Sequence, residues 1–249
     1  MLAIPILLAV AKLHYSFTPE MRDGRQVLHV SLTMPQGADL VSPTAWGDAT
    51  GLDKAVVNLK KESGRVSYDL INDWKGPLRE SVRHRPHLEP TYVEINTSNA
   101  LVHPELALTA PVDCTFDWNL PSGWVVATSF GSGVSRQRFR GAWNSVQNAV
   151  FVAGDFRLHR SKLGKGSFVF AIRGTWKMSD GEAAAQVGKM IRLQRDFWKD
   201  ENFPYYLVTL VPFGSGQSGS GGWRLHQCLQ PSYGAGKRVL LPAPLAAVA

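Results

Sequence analysis

Hydrophobic positions in the first two-thirds of the chain recur mostly at every second residue, which is the period of a half-buried β-strand. The clearest alternation runs over residues 27–34, after a turn signal at residues 22–24. The other predicted strands are short and bounded by turn residues, and they cover residues 91–95, 114–118, 124–130 and 149–156. Short strands at turn-punctuated intervals predict an antiparallel β-sandwich, or an open curved sheet, over residues 12–160.

The pattern changes after about Gly166. Residues 167–176 form another predicted strand. Residues 205–213 are almost continuously apolar, as expected of a strand buried on both faces. The stretch between them has the period of a helix that ends near Asp200. Strand, helix and strand in this order predict a second unit over residues 161–222, and with the first unit an α+β fold.

The helix carries a start signal of its own. Ser179 and Glu182 have the spacing of a capping box, in which each side chain bonds the backbone N–H of the other residue. The residues predicted to lie on the apolar face of the helix are Ala183, Ala184, Val187, Met190, Ile191, Gln194, Phe197 and Trp198.

Composition narrows the function classes. Of the 249 residues, 44% are hydrophobic and 19% charged, which is enough apolar material for a core. The net charge is +7 and the sequence pI about 9.5. The basic residues are scattered, however, and are densest at 136–140 and 157–165. Since nucleic-acid binding needs basic residues clustered on one face, we interpret them as a solvated surface and expect no nucleic-acid partner.

The N-terminus has two interpretations. Residues 1–11 are apolar and end in Ala-Val-Ala, which is typical of a secretory signal peptide without its basic start, or of a first β-strand. The signal-peptide interpretation predicts a periplasmic or secreted protein. No segment has the length of a membrane span. The surroundings of Cys114 and Cys228 differ, so we expect no disulfide between them.

A glycine- and serine-rich segment follows the last apolar run, over residues 214–222. It lacks the Gly-Lys-Ser/Thr ending of a P-loop. Its composition is that of a flexible linker. Its position at the end of a buried strand also fits a ligand-facing loop, where glycine lets the backbone approach a ligand closely.

Two segments, residues 148–156 and 197–212, resemble glycyl-aminopeptidase-like gluzincin metallopeptidases, and the resemblance extends over residues 12–222. It implies a saddle-like N-terminal β-domain followed by the start of a thermolysin-like catalytic domain. It also implies peptide substrates and, in the complete enzyme, zinc. The glycine-rich segment looks like the family's substrate-binding strand and loop, so the resemblance assigns peptide binding to Gly219, Gly221 and Gly222.

The zinc motif of such enzymes is not in this sequence. Their His-Glu-x-x-His helix supplies two zinc ligands and a general base, and no histidines of this chain have that spacing. His84 and His87 are the one close pair, and their Pro-rich surroundings predict two surface histidines. We therefore assign no catalytic or metal-binding residue, and expect this N-terminal part of the enzyme to be inactive and without cofactor.

Other polar and aromatic residues are given structural roles. Asp113, Asp117 and Asp155 are expected at strand ends, in turns or caps. The tryptophans at positions 46, 118, 124 and 143 are expected to pack in the core, although exposed tryptophans can also stack on a sugar or a peptide. An alternative function is therefore a non-catalytic β-sandwich module that binds peptides or glycans.

Residues 223–249 lose the family's character. Reading the codons one nucleotide forward from Gln227 permits Asn-Ala-Phe-Ser, which resembles how these aminopeptidases continue. One interpretation is a frameshift after about Gly222, which leaves an aberrant or disordered tail; the other is a genuine, divergent C-terminus. A truncated second unit would also leave strand edges unpaired, which predicts self-association.

Overall fold

The computed structural model describes residues 10–47, 49–76, 82–199 and 204–213, and the backbone of four short strands between residues 220 and 234. The strands are β1 (Ala11–Arg22), β2 (Arg25–Thr33), β3 (Leu40–Val41), β4 (Ala45–Trp46), β5 (Ala49–Thr50), β6 (Val56–Glu62), β7 (Arg65–Leu70), β8 (His87–Glu89), β9 (Tyr92–Asn96), β10 (His103–Pro104), β11 (Pro111–Trp118), β12 (Val125–Thr128), β13 (Gly131–Ser132), β14 (Arg136–Ala142), β15 (Val150–Gly154), β16 (Arg157–Leu163), β17 (Gly166–Ile172), β18 (Tyr205–Phe213), β19 (Ser220–Gly221), β20 (Arg224–Leu225), β21 (Cys228–Leu229) and β22 (Ser232–Gly234). The helices are α1 (Thr97–Ala100), α2 (Trp143–Gln147) and α3 (Asp180–Trp198), with a 3₁₀ turn at Leu52–Ala55.

The first two sheets form a sandwich. The first sheet has the order β14-β11-β1-β2-β7-β6, and the second has the order β13-β12-β15-β9-β8. Nearly all neighbours are antiparallel, as predicted, but β1 and β11 pair in parallel. Alternate residues of β1 and β11 point into the space between the sheets. There the rings of Phe17 and Trp118 stack with their centroids 4.4 Å apart, and the rings of Phe116 and Phe151 meet edge to face with their centroids 5.0 Å apart.

The third sheet contains the predicted strand–helix–strand unit. Its order begins β16-β17-β18, and β17 and β18 are parallel with α3 connecting them. The third sheet packs on the second, where Val150 and Val152 share a core cluster with Leu207. Because the second sheet is therefore covered on both faces, every residue of β9 and β15 is buried. This explains why Val150–Gly154 is apolar throughout instead of alternating.

Helix α3 covers the other face of the third sheet. Its capping box is present, with the Ser179 hydroxyl accepting from the Glu182 backbone N–H. Its buried residues are Ala183, Val187 and Ile191, which lie against β17 and β18. The predicted apolar face is wrong beyond Ile191. Gln194 is exposed, Phe197 and Trp198 are 75% and 72% exposed, and no described element covers the last two turns.

The edges of the third sheet differ from the expectation. Strand β17 lies between β16 and β18, and β18 also pairs with β21 and β22. The strands expected to have unpaired edges therefore have described neighbours on both sides, although self-association itself stays a prediction. Strands β20 to β22 fall within residues 223–249, for which the sequence leaves open an aberrant or disordered tail and a genuine C-terminus. Their backbone joins the sheet, with Leu207 opposite Cys228 and Val211 opposite Ser232.

Among the described residues, no helix is both long enough and apolar enough to cross a bilayer. Cys114 is a free, buried thiol, and burial raises its pKa to about 12. The side chain of Cys228 and residues 1–9, on which the signal peptide was predicted, lie outside the described part of the chain.

Candidate functional site

The predicted peptide-binding glycines follow the end of β18. Gly221 lies in β19, opposite Ser232 of β22, and β22 runs parallel to the last residues of β18. Gly219 and Gly222 lie outside the described residues. Peptide binding by these three glycines therefore stays a prediction.

A second candidate lies at the contact between the second and third sheets. Of the twelve buried polar or charged residues in the described part of the chain, six fall between residues 84 and 99. Four of them fall in two hydrogen-bonded sets: His84 with Asn99, and His87 with Glu94, which also bonds Thr209 of β18. We call His84, His87, Glu94, Asn99 and Thr209 the junction cluster.

His87 and Glu94 form the centre of the junction cluster. His87 is 3% exposed and Glu94 4% exposed. Nδ1 of His87 is 3.3 Å from Oε2 of Glu94, and Nε2 is 3.1 Å from the carbonyl oxygen of Val82. Because a carbonyl only accepts, Nε2 carries a proton. The hydrogen bond to Glu94 then needs a second proton, which gives either an imidazolium–carboxylate pair or a neutral imidazole with a protonated acid.

The junction cluster connects the two sheets. Glu94 belongs to β9 of the second sheet, and its Oε1 accepts from the Thr209 hydroxyl of β18 at 3.4 Å. Thr209 is the buried polar residue in a strand that is otherwise apolar. A buried carboxyl group is costly unless it is hydrogen-bonded, so the pairing of Glu94 with both partners favours one relative position of the sheets.

The expectation of surface histidines is wrong, because distant residues cover both rings. The rings of His84 and Trp46 are nearly perpendicular, with their centroids 5.0 Å apart, and the rings of His87 and Trp74 are arranged in the same way, with their centroids 5.8 Å apart. The backbone carbonyl of His84 accepts from Nδ2 of Asn99. Nε2 of His84 accepts from Nε of Arg83 at 3.0 Å, so its proton lies on Nδ1.

The surroundings of the junction cluster are rich in acceptors. Oδ1 of Asn96, of Asn99 and of Asp73 is buried and accepts from no donor among the described residues. Burial raises the pKa of Asp73, and the Arg85 guanidinium opposes this shift. The other carboxylate oxygen of Asp73 forms an ion pair with Nη1 of Arg85. Nη2 of Arg85 donates a hydrogen bond to the Thr50 carbonyl at 2.6 Å. These three Oδ1 oxygens can therefore accept from a further hydrogen-bond donor.

An arginine reinforces the junction at its rim. Arg173, directly after β17, lies 3.8 Å above the ring of Tyr92. Its guanidinium bonds both oxygens of Asp155, at 2.8 and 3.2 Å, and donates to Thr91 at 3.0 Å. Burial raises the pKa of Tyr92 and also that of Glu89. Asp155 lies directly after β15, at a strand end as predicted, and its ion pair with Arg173 adds to the contact between the sheets.

The other two aspartates are also paired with arginines on the outer face of the first sheet. Asp113 binds Arg140, and Asp117 binds Arg136. Both lie within β11, so their predicted turn or capping roles are wrong. The tryptophans follow the prediction: Trp118 and Trp143 are buried, and Trp46 and Trp124 are partly buried against the core.

Among the described residues, one group of three side chains has metal-ligand spacing: Glu20, His29 and Asp69. It does not fit zinc. Asp69 is already bonded to Arg22 at 2.6 Å, His29 at 2.7 Å and Asn58 at 2.8 Å. Burial favours a raised pKa for Asp69, but these hydrogen bonds and the Arg22 charge outweigh it and hold the pKa low. A guanidinium among the donors repels a cation, so the group is an ion-pair network.

Comparison with known proteins bears on the fold. No family model and no curated protein matches the chain. An aminopeptidase N family protein from Idiomarina loihiensis does match in structure, with a TM-score of 0.67 and 15% identity. The match covers 90% of this chain and 44% of that one. The fold is similar to part of a known aminopeptidase N family protein.

An M1 zinc metallopeptidase from Deinococcus radiodurans also matches, with a TM-score of 0.47 and 13% identity, over 90% of this chain and 60% of that one. The chain thus spans less than two-thirds of either structure. At these identities the two likenesses concern the fold alone. The match to the aminopeptidase N family structure agrees with the mostly antiparallel α+β architecture.

Proposed function

We propose that this chain is a peptide-handling part of a zinc aminopeptidase: the β-domain and the first strand, helix and strand of the catalytic domain. One observation carries the proposal. An aminopeptidase N family structure matches 90% of the chain with a TM-score of 0.67. The resemblance over residues 12–222, based on sequence segments, points to the same class of enzyme.

The proposed substrate is a peptide with a free N-terminus, held beside the end of β18. Support comes from the position of the glycine-rich segment, whose β19 adds to the sheet next to β22. Backbone groups there could pair with an extended peptide, as in strand addition to a sheet edge. The assigned residues remain Gly219, Gly221 and Gly222.

We further propose that this 249-residue chain does not hydrolyse peptides. Its sequence has no His-Glu-x-x-His, and the Glu20, His29 and Asp69 group is already bonded to Arg22 and Asn58. The zinc expected for this family would then be bound by residues that this sequence does not contain.

Peptide binding tests the proposal. The full chain is titrated with an unblocked tripeptide in a calorimeter, and release of the first residue is followed in the same mixture. We expect saturable binding without release, and at least tenfold weaker binding after Gly221→Val, because a branched side chain obstructs backbone approach. Gly181→Val, at the start of α3 where an added Cβ meets nothing within 4 Å, is the control. No binding by the natural chain, or equal loss in both variants, would contradict the proposal.

The second candidate, a non-catalytic peptide- or glycan-binding module, is favoured by one observation. Phe197 and Trp198 are largely exposed, and their rings meet edge to face at 5.0 Å. Exposed aromatic rings can stack on sugars or apolar side chains. A glycan array probed with the natural chain and with Trp198→Ala separates the candidates: glycan binding lost in the variant supports this module.

A further inference from the structure

The outer face of the first sheet carries polar side chains in ordered rows. In β1, Lys12, His14 and Ser16 alternate with buried Leu13 and Tyr15, so they face outward. Strand register aligns these residues with partners on the neighbouring strands. The edge strand β14 contributes one arginine to each of three rows, at positions 136, 138 and 140.

In the two outer rows the arginines are neutralised. Arg136 bonds both carboxylate oxygens of Asp117, at 2.6 and 2.8 Å. Arg140 bonds Asp113 at 2.8 and 2.9 Å. These carboxylates lie opposite their arginines in the register of β11 and β14.

The central row has no carboxylate. Arg138 lies opposite Thr115, which is followed across the sheet by His14 and then Thr33. His14 is bonded to Asp117 at 2.7 Å. Within the described part of the chain, the side chains of Arg138 and Lys12 have no hydrogen-bond or ion-pair partner.

These side chains line a cavity of about 290 Å³. That volume is near the lower end of the roughly 300–1,000 Å³ typical of small-molecule sites. The lining residues are Lys12, Leu13, His14, Thr33, Asp113, Thr115 and Arg138. Since Arg140 neutralises Asp113, the charges of Lys12 and Arg138 remain, together with two threonine hydroxyls that can donate.

We propose that this cavity binds a tetrahedral oxyanion, a phosphate or sulfate group. A guanidinium can bond two oxygens of such a group side by side, and an ammonium adds charge and a further donor. The hydroxyls of Thr33 and Thr115 add two more hydrogen-bond donors. Together with the guanidinium and the ammonium group, these are more donors than the two oxygens of a carboxylate can accept from. The site is on the opposite face of the first sheet from the sandwich core, and is independent of peptide binding.

The arginines of β14 also have a simpler explanation. Charged side chains on an edge strand discourage pairing with other sheets. That role needs charge on β14 alone. It predicts neither a hydroxyl row aligned with Arg138 nor a dependence of anion affinity on Thr115.

The test is titration of the full chain with inorganic phosphate, inorganic sulfate and glucose 6-phosphate, followed by NMR at constant ionic strength. We expect saturable shifts at Thr33 and Thr115. Arg138→Gln should weaken binding about tenfold, the loss of one charge-assisted contact. Thr115→Val should weaken it less. Arg192→Gln, which removes the same charge from the exposed face of α3, is the control and should leave affinity unchanged.

Two results would overturn the proposal: no saturable binding of either inorganic ion, or equal weakening by Arg138→Gln and Arg192→Gln. Binding of the inorganic ions alone would support the site and identify a free anion as its ligand. Binding of glucose 6-phosphate as well would support it and identify an ester. If Arg138→Gln lowers the melting temperature, Lys12→Gln replaces it, with the same expectation.

Discussion

The sandwich of the first two sheets and the unit formed by the third sheet with α3 both bury apolar strands, but they place polar groups differently. The sandwich core contains packed aromatic rings and buried hydrogen bonds between uncharged groups, such as that of the Tyr15 hydroxyl to the Val102 carbonyl, and charged pairs lie on the outer face. At the contact between the second and third sheets, Glu94, His87 and Thr209 are buried together. The sandwich core is thus closed by contacts between uncharged groups, whereas the junction also contains a buried carboxyl group, which makes the relative position of its two sheets sensitive to single atoms.

The largest expected effect is in the sandwich. Phe151 contacts the rings of Phe17, Phe116 and Trp118. Phe151→Ala should lower the free energy of unfolding by about 3–5 kcal/mol, because it leaves a cavity among rings that cannot close around it. Urea denaturation measures this, with exposed Leu59→Ala as the control. A loss below about 1 kcal/mol would contradict the described core.

The junction should respond to a change of a single atom. Glu94→Gln keeps the shape of the side chain but puts an amide against His87, and should cost about 1–3 kcal/mol. Glu105→Gln, at an exposed position, is the matched control and should cost nothing measurable. Hydrogen exchange should also speed up in β18 more than in β1. Equal effects of the two variants would mean that the junction cluster does not hold the sheets.

The capping box contributes a smaller amount. Ser179→Ala removes the acceptor for the Glu182 backbone N–H and should cost about 1 kcal/mol, measured by thermal unfolding. Ser161→Ala, on the exposed side of β16, should leave the melting temperature unchanged.

Acid should weaken the outer ion pairs. Hydrogen bonds from Arg136 hold the pKa of Asp117 low, and those from Arg157 do the same for Asp180. A carboxyl whose folded pKa is depressed adds stability above its unfolded pKa of about 3.9, and that stability is lost as pH falls through the folded value. The melting temperature should therefore drop below about pH 4, and Asp117→Asn should flatten that drop.

The smallest expected effect on stability is at the end of α3. Since Phe197 and Trp198 are exposed, replacing both by serine should change stability by no more than about 0.5 kcal/mol, while reducing any self-association seen by light scattering. A large loss of stability would show that these rings are buried in solution.

Local signals predicted much of this architecture. Three features depend only on residues close in sequence, and each is present in the structure. They are the alternating residues of β2, the continuous apolar run of β18 and the capping box of α3. Helical period also predicted the buried face up to Ile191. Period alone cannot show where the neighbouring sheet ends, which is why Phe197 and Trp198 were misplaced.

The junction cluster could not be predicted in the same way. The burial of His84 depends on Trp46, and Glu94 meets Thr209 across 115 positions of sequence. Such contacts exist only once the sheets are stacked. The pairing of Arg136 with Asp117 likewise depends on strand register. The one available signal was a glutamate and a threonine inside otherwise apolar strands.

We propose that this chain, whose fold is similar to part of an aminopeptidase N family structure, does not itself bind zinc. The most direct test is the zinc content of the purified 249-residue chain after equilibration with zinc and exhaustive dialysis, measured by mass spectrometry alongside aminopeptidase activity. We expect substoichiometric zinc and no release of amino acids. One tightly bound zinc per chain, with hydrolysis that a chelator abolishes, would contradict it.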